Sequence, residues 1–352
     1  MTILGIETSC DETAAAIIVG KDSHVDLRAN IVASSLAMHI PTGGIIPENA
    51  AREQLKFILP VINQALADAG MTLEDIDAIA VTFGPGLIGS LLVGVETAKT
   101  IAYVLNKPLI PVNHMVGHIY ANFINVHHKS ETKLDAIRYT LDAHIAFPLL
   151  ALVVSGGHTD LLLMKEHGHF QLLGGTRDDA AGEALDKIGR LIGVAYPAGP
   201  VIEQMAKSGD PNRFRFPRPL VGSPDFDYSF SGLKTAVLRE VKNLGNLDAQ
   251  TKKDIARGTL DAIIDVLIKK TVKAAAVHEV KSIILSGGVA ANQTLRTAFE
   301  DEIAKRRMHV TFHVPPRHLC TDNAAMIASA AYFNPLEIEF NSVTANPELY
   351  FD

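Results

Sequence analysis

Two cysteines in 352 residues are too few for a disulfide framework. Cys10 and Cys320 stand near opposite ends of the chain, so both are expected to be free thiols in a reducing, cytoplasmic compartment. Each neighbours a carboxylate, Asp11 or Asp322, but a small buried residue is the commoner role for a lone thiol, and neither is assigned a function. A surplus of cations is missing too. With 32 Lys and Arg against 39 Asp and Glu the formal net charge is −7, which excludes a broadly basic nucleic-acid surface and predicts no attraction to anionic membranes. Any contact with RNA has to be local or shared with a partner. The first residues, Met1 to Glu7, lack the basic start of a signal peptide. An unbroken membrane-length apolar run is absent as well: 78–95 is uncharged, yet Gly84, Pro85, Gly86 and Gly89 interrupt it, so strand, tight loop and buried helix are expected there. The 26 glycines and 17 prolines are not clustered as a collagen or a disordered tail requires.

What is present is a chain with 47% hydrophobic residues, able to bury a sizeable core and long enough for two lobes. Thr2 to Ile6 reads as a buried strand, Glu7 to Thr13 as a polar turn and Ala14 to Val19 as a second strand. Helical periodicity around Ala51 to Ala69 stops at Gly70, Ile76 to Thr82 reads as a strand and Gly89 to Leu105 as a helix. Strand, turn, strand returns at Leu149 to Lys165 around Ser155-Gly156-Gly157, and Ser282 to Asn292 is a third strand-to-loop unit with Ser286-Gly287-Gly288. The recurrence predicts a duplicated α/β architecture with a ligand cleft between lobes; chance repetition of a three-residue string is the competing explanation. The expected layout is an N-terminal lobe over 1–125, a polar surface excursion over 126–147, a C-terminal lobe over 148–330, and a terminal segment over 331–352 packing back on the N-terminal lobe.

His114 and His118 are four apart, which on a helix stacks both imidazoles on one face at chelating distance. A zinc protease also needs Glu directly after the first histidine to activate water, and that position is Met115. Two structural histidines explain the spacing about as well as a metal pair. A third ligand is available in Asp322, although Asp322 or Asn323 is also needed to cap the helix expected over Ala324 to Phe333. Two imidazoles, one carboxylate and open positions suit Fe(II) or Zn(II). The two Ser-Gly-Gly turns are candidates for cradling a phosphate. Gly84-Pro85-Gly86-Leu87-Ile88-Gly89 has the spacing of a dinucleotide fingerprint but no acidic residue about twenty positions on, and close packing explains it better. Arg213-Phe214-Arg215-Phe216-Pro217-Arg218 alternates cations with aromatics, which fits either single-stranded RNA or an edge strand with solvated arginines. Lys234 and Arg306-Arg307 read as parts of solvated faces.

Eight motifs occur in order: Glu7-Thr8-Ser9-Cys10-Asp11-Glu12-Thr13, Gly84-Pro85-Gly86-Leu87, His114-x-x-x-His118, Val154-Ser155-Gly156-Gly157-His158-Thr159, the run from Asp178 to Lys187, Tyr228-Ser229-Phe230-Ser231-Gly232-Leu233-Lys234, Ser286 to Asn292, and Cys320-Thr321-Asp322-Asn323. Together they resemble the TsaD family, the bacterial tRNA N6-adenosine threonylcarbamoyltransferases, over nearly the whole chain. The resemblance implies an α/β fold of the actin-like, Hsp70-like (ASKHA) kind, two lobes with duplicated RNase H-like cores and an interlobe nucleotide and metal cleft. It implies transfer of threonylcarbamoyl from threonylcarbamoyl-AMP to the exocyclic amine of the adenosine 3′ of the anticodon, in tRNAs reading codons that start with A. It puts one divalent metal on His114, His118 and Asp322, with Fe2+ expected and Zn2+ or Mg2+ as alternatives. Adenylate binding falls on Val153, Val154, Ser155, Gly156, Gly157, Asp186, Gly199, Glu203 and Asn292, where ATP, ADP or AMP are alternative occupants, and Asp11 matches an acidic residue important for transfer. Implied partners are tRNA, a TsaB-like paralogue and a TsaE-like ATPase, with no membrane. Departures are Val153, where archaeal relatives place a tyrosine ligand, Ala198 in place of a glycine before Gly199, and a longer excursion near His127 to Ala143. A metalloprotease, the O-sialoglycoprotein endopeptidase label this family has carried, and an ATP-dependent kinase-like or chaperone-like protein are the competing functions.

Overall fold

The computed structural model describes residues 1–125, 145–336 and 338–351, so the excursion read near His127 to Ala143 lies outside the described residues. The chain forms two compact units, Met1–Ile145 with Thr321–Asp352 and Ala146–Cys320.

The first unit opens with an antiparallel meander of β1 (Thr2–Glu7), β2 (Glu12–Lys21) and β3 (His24–Ser34). The run Ala14 to Ile18 is buried without alternation, as a strand covered on both faces requires. A short α1 (Leu36–His39) and the long α2 (Pro47–Ala69) follow. Pro47 starts α2 ahead of the first periodic residue, and Gly70 ends it in the left-handed conformation at φ 64°. Then come β4 (Ala78–Gly84), α3 (Ile88–Leu105), β5 (Leu109–Asn113), α4 (His114–Tyr120) and β6 (Ile124–Asn125). The strand order is β5-β4-β1-β2-β3-β6, with β4 parallel to β1 and β5 parallel to β4. Parallel neighbours end on the same side of a sheet, so Glu7, Gly84 and Asn113 close their strands along one edge. Among the described residues α3 is the one helix long and apolar enough to cross a membrane, yet Val95, Ala98 and Ala102 bury its inner face in the core with Leu4, Ile6, Ile62 and Val81.

The second unit repeats the plan. An antiparallel meander of β7 (Leu149–Val154), β8 (Thr159–Glu166) and β9 (His169–Gly175) leads to α5 (Ala181–Leu191), α6 (Gly199–Ala206), α7 (Ser231–Leu244) and the 29-residue α8 (Ala249–Val277). β10 (Ser282–Ser286), α9 (Gln293–Lys305) and β11 (Thr311–His313) complete it, in the order β11-β10-β7-β8-β9 with β10 parallel to β7 and to β11. Fifth, fourth, first, second, third is the order in both sheets once the extra β6 is set aside, so the duplication is in the hydrogen-bond topology as well as in the recurring tripeptide. Residues 213–218 are not the edge strand that their alternation suggested. Phe214 and Phe216 stack 5.8 Å apart with Phe216 buried, Arg213 bonds Asp254 at 2.8 Å, and Arg218 bonds Asp265 at 3.0 Å. Both arginines are committed to acids of α8.

At Thr321 the chain rejoins the first unit. Asn323 accepts the Met326 amide at 3.1 Å and so caps α10 (Ala324–Phe333), which packs on β1 and β2. The lobe boundary drawn at 330 falls inside this helix. An alanine-rich run has no internal stop signal there, and the change of unit precedes it at Thr321. Beyond it Val343 is buried, the Asn346 amide bonds Phe83 O at 2.7 Å, and Asn113 Nδ2 bonds Tyr350 O at 3.2 Å.

The approach of α10 to β1 depends on Gly5. A Cβ there would lie 2.4 Å from Ala324 O and 3.0 Å from Ala328 Cβ. Gly5→Ala is therefore expected to cost about 1–3 kcal/mol by overpacking, read as a lower urea midpoint at unchanged slope. An unshifted midpoint would show that α10 is not held this tightly.

Candidate functional site

The Asn113 side chain caps α4, accepting the amides of Met115 at 2.8 Å and Val116 at 3.4 Å. The cap starts the helix at His114, and helical periodicity brings His118 alongside it, ring centroids 4.7 Å apart. Because Asn323 does the capping of α10, the Asp322 carboxylate is directed elsewhere: its Oδ1 lies 3.3 Å from His118 Nε2 and 3.6 Å from His114 Nε2. Ligand atoms of the three residues all lie within 4.8 Å of one another. The His118 ring is buried, and among the described residues neither of its nitrogens makes an aligned hydrogen bond, Nε2 included despite its approach to Asp322. A buried polar group left so costs about 1–3 kcal/mol, which a cation on the ring nitrogen would offset. Two imidazoles and one carboxylate are the donor set of Fe2+ or Zn2+, so the residues fit a divalent metal.

Glu7, read from the sequence as part of a polar turn, is the residue that sequence reasoning missed. It closes β1 with its side chain wholly buried; Oε1 accepts the Ser9 amide at 2.6 Å, and Oε2 accepts the Thr82 hydroxyl and lies 3.2 Å from His114 Nδ1. A carboxylate only accepts hydrogen bonds, so Nδ1, which Ser9 Oγ also approaches at 3.2 Å, carries a proton toward Glu7, and Nε2 is the nitrogen directed at a metal once its own proton is lost. Burial works against a charged His114, but the Asp322 and Glu7 carboxylates outweigh it and push the ring up to about 9; burial holds His118 below its ordinary value. A metal has to displace the His114 proton. The available signal for Glu7 was a carboxylate closing an otherwise apolar strand.

Asp11 sits in the short connection between β1 and β2, nearly buried. Burial, with the negative charges of Asp322 and Asp11, pushes its neighbour Glu12 far above the carboxylate range and raises the Cys10 thiol. The cysteine is thus held as a thiol, unsuited to nucleophilic work.

The residues expected to meet an adenylate all fall in the second unit. Val153 of β7 pairs with Ser286 of β10, so the two Ser-Gly-Gly loops leave adjacent parallel strands at the same edge, where open α/β sheets bind ligands. The side chains of Val153 and Val154 are wholly buried, which leaves only main chain for a ligand. Gly156 and Gly157 face open space. Gly287 has another duty: with φ 87°, its Cβ would lie 2.4 Å from Val154 O, so the crossing of strand ends requires it. From there a chain of contacts links the rest. The Gly182 amide bonds Ser155 O at 3.2 Å at the start of α5, and Asp186 of α5, raised by burial, accepts the Ala198 amide at 2.7 Å beside Gly199. Glu203 of α6 accepts the amides of Gln293 at 2.8 Å and Thr294 at 3.1 Å, while Asn292 accepts that of Leu295 at 2.9 Å, so both cap α9. Ala198 is tolerated because Gly189 faces it; a Cβ at 189 would lie 2.2 Å from that of Ala198.

An α/β protein with one strand order used twice and a His-His-Asp group at a sheet edge is an ASKHA-type protein carrying a candidate metal centre. Residues 26–329 match the model of TsaD, tRNA N6-adenosine threonylcarbamoyltransferase. Curated relatives of the same description come from Symbiobacterium thermophilum, 50% identical over 94% of this chain and 91% of that one, and Moorella thermoacetica, 45% identical over 98% and 95%. A third, from Bacillus subtilis, is 47% identical over 94% of this chain and 89% of its own. The chain belongs to the TsaD family.

Glu7→Gln keeps the shape of the side chain but turns an acceptor into a possible donor toward His114. Competition titration with a Zn2+ chelator should show affinity about 10–100-fold weaker. Unchanged affinity in a variant with a normal melting curve would remove Glu7 from the metal site.

Proposed function

We infer that this chain transfers the threonylcarbamoyl group of threonylcarbamoyl-AMP to the exocyclic amine of the adenosine 3′ of the anticodon, in tRNAs reading codons that start with A. The products are N6-threonylcarbamoyladenosine and AMP. The observation that carries the reading is the His114, His118 and Asp322 cluster, in a chain of this family, with Glu7 orienting one imidazole.

A divalent ion on those three residues, Fe2+ first and Zn2+ or Mg2+ as alternatives, would supply Lewis-acid charge for the oxygens of the threonylcarbamoyl group. The mixed anhydride is already activated, so the residues have mainly to align, shield and accept a proton. Amides of Gly156 and Gly157, the Ser155 hydroxyl and the main chain of Val153 and Val154 hold the adenylate, Asn292 contributes its side-chain amide, and Asp186, Gly199 and Glu203 shape the surrounding turns. Attack of the amine forms the new C–N bond, the C–O bond to the phosphate breaks, and AMP leaves with its electron pair. Asp11 takes the proton released by the amine.

The net charge of −7 supports a division of labour in which a TsaB-like paralogue and a TsaE-like ATPase help bring tRNA to the chain, in the cytoplasm. A protease is poorly served. Met115 occupies the position of the base and is buried, and Glu7 is committed to Ser9, Thr82 and His114.

The test is incubation with partner proteins, threonylcarbamoyl-AMP and unmodified tRNA, followed by mass spectrometry of the nucleosides. Threonylcarbamoyladenosine is expected from the native chain and at least about a hundred-fold less from His118→Ala. No modified nucleoside from the native chain refutes the activity, and full activity of the variant refutes the role of the cluster.

A further inference from the structure

The connection that carries Asp11 is largely buried, with Thr8, Ser9 and Asp11 buried and Cys10 and Glu12 half-buried, and carbonyls withdrawn from water need partners. One side chain distant in sequence supplies three of them. Gln54 of α2 is wholly buried, and its Nε2 lies 3.0 Å from Cys10 O, 3.0 Å from Glu12 O and 3.3 Å from Thr8 O. Among the described residues its Oε1 has no hydrogen-bond partner. An amide turned so that one end gathers three carbonyls while the other goes unmatched is oriented by the loop, since space-filling alone would be met by an apolar side chain. Residues 8, 10 and 12 lie on both sides of Asp11, so the clamp sets the curve of the backbone at that residue. Two serines add to this: Ser35 donates to Asp11 O through its amide at 3.1 Å and its Oγ at 2.9 Å, and Ser90 Oγ gives Cys10 O a second donor at 3.1 Å.

We propose that Gln54 is a positioning residue for the transfer reaction, holding the 8–12 loop so that the Asp11 carboxylate meets the attacking amine. The proposal rests on the reading of Asp11 as proton acceptor. It differs from a merely structural role in where a loss should be felt. Misplacing a reacting group by about 1 Å can cost about a hundred-fold in rate, whereas the metal ligands come from α4 and the turn before α10.

The experiment uses the full chain with its partner proteins, threonylcarbamoyl-AMP and tRNA. Gln54→Met keeps the volume and removes the donor; Gln54→Glu keeps the shape, removes the donor and stands in should the first variant fail to fold. Expected is a kcat about 10–100-fold lower, with KM for the adenylate and Zn2+ affinity within about two-fold of native. Combined with Asp11→Asn, the Gln54 change should add nothing further. Native kcat in a Gln54 variant, while Asp11→Asn is inactive, overturns the proposal and leaves the reading of Asp11 standing. An equal drop in the Asp11→Asn background also overturns it, because Gln54 would then act elsewhere. Native activity of Asp11→Asn overturns the reading of Asp11 itself.

Discussion

The bond between the Glu7 carboxylate and the His114 imidazole joins two strand ends that are far apart in sequence, and the candidate metal centre depends on it. Burying a carboxylate is costly unless its oxygens are satisfied, and here the Ser9 amide, the Thr82 hydroxyl and His114 Nδ1 share that work. Each partner is set by the sheet. Glu7 closes β1, Thr82 belongs to β4 and His114 follows β5, three strands parallel to one another. A carboxylate that fixes one ring nitrogen thereby assigns the other to the metal, a second layer of design that the ligands alone do not disclose.

The same five-strand order in the second unit yields different chemistry because different residues close its strands. Charged and imidazole side chains end β1 and follow β5, while Ser-Gly-Gly ends or follows β7 and β10. Glycine does not mean the same thing at each place. Gly287 is needed for the crossing against Val154, whereas Gly156 and Gly157 leave room for a ligand to approach. Asp186, Glu203 and Asn292 all cap helices, so the groups proposed to meet an adenylate also hold α6 and α9 in place.

Local features were legible in the sequence and distant pairings were not. The four-residue spacing of His114 and His118 survives as one helix face because it needs only helical periodicity. Asp322 had a capping role as its competitor; the structure gives the cap to Asn323, which no rule of composition could have decided. Glu7 looked like a turn residue because its partners, Thr82 and His114, are on other strands. Arg213 and Arg218 looked solvated because the acids that pair with them, Asp254 and Asp265, lie a helix away. The boundary at 330 missed a change of unit that happens inside a motif, at Thr321. Gln54 carries no motif at all; its role exists only once α2 lies against the 8–12 loop.

Anomalous diffraction from crystals of the protein grown with Zn2+ addresses the centre most directly. The account predicts a single strong peak about 2.0–2.2 Å from Nε2 of both His114 and His118 and from an Asp322 oxygen, with Glu7 still bonded to His114 Nδ1. A peak ligated by other residues, or His114 turned to bind through Nδ1, would contradict it.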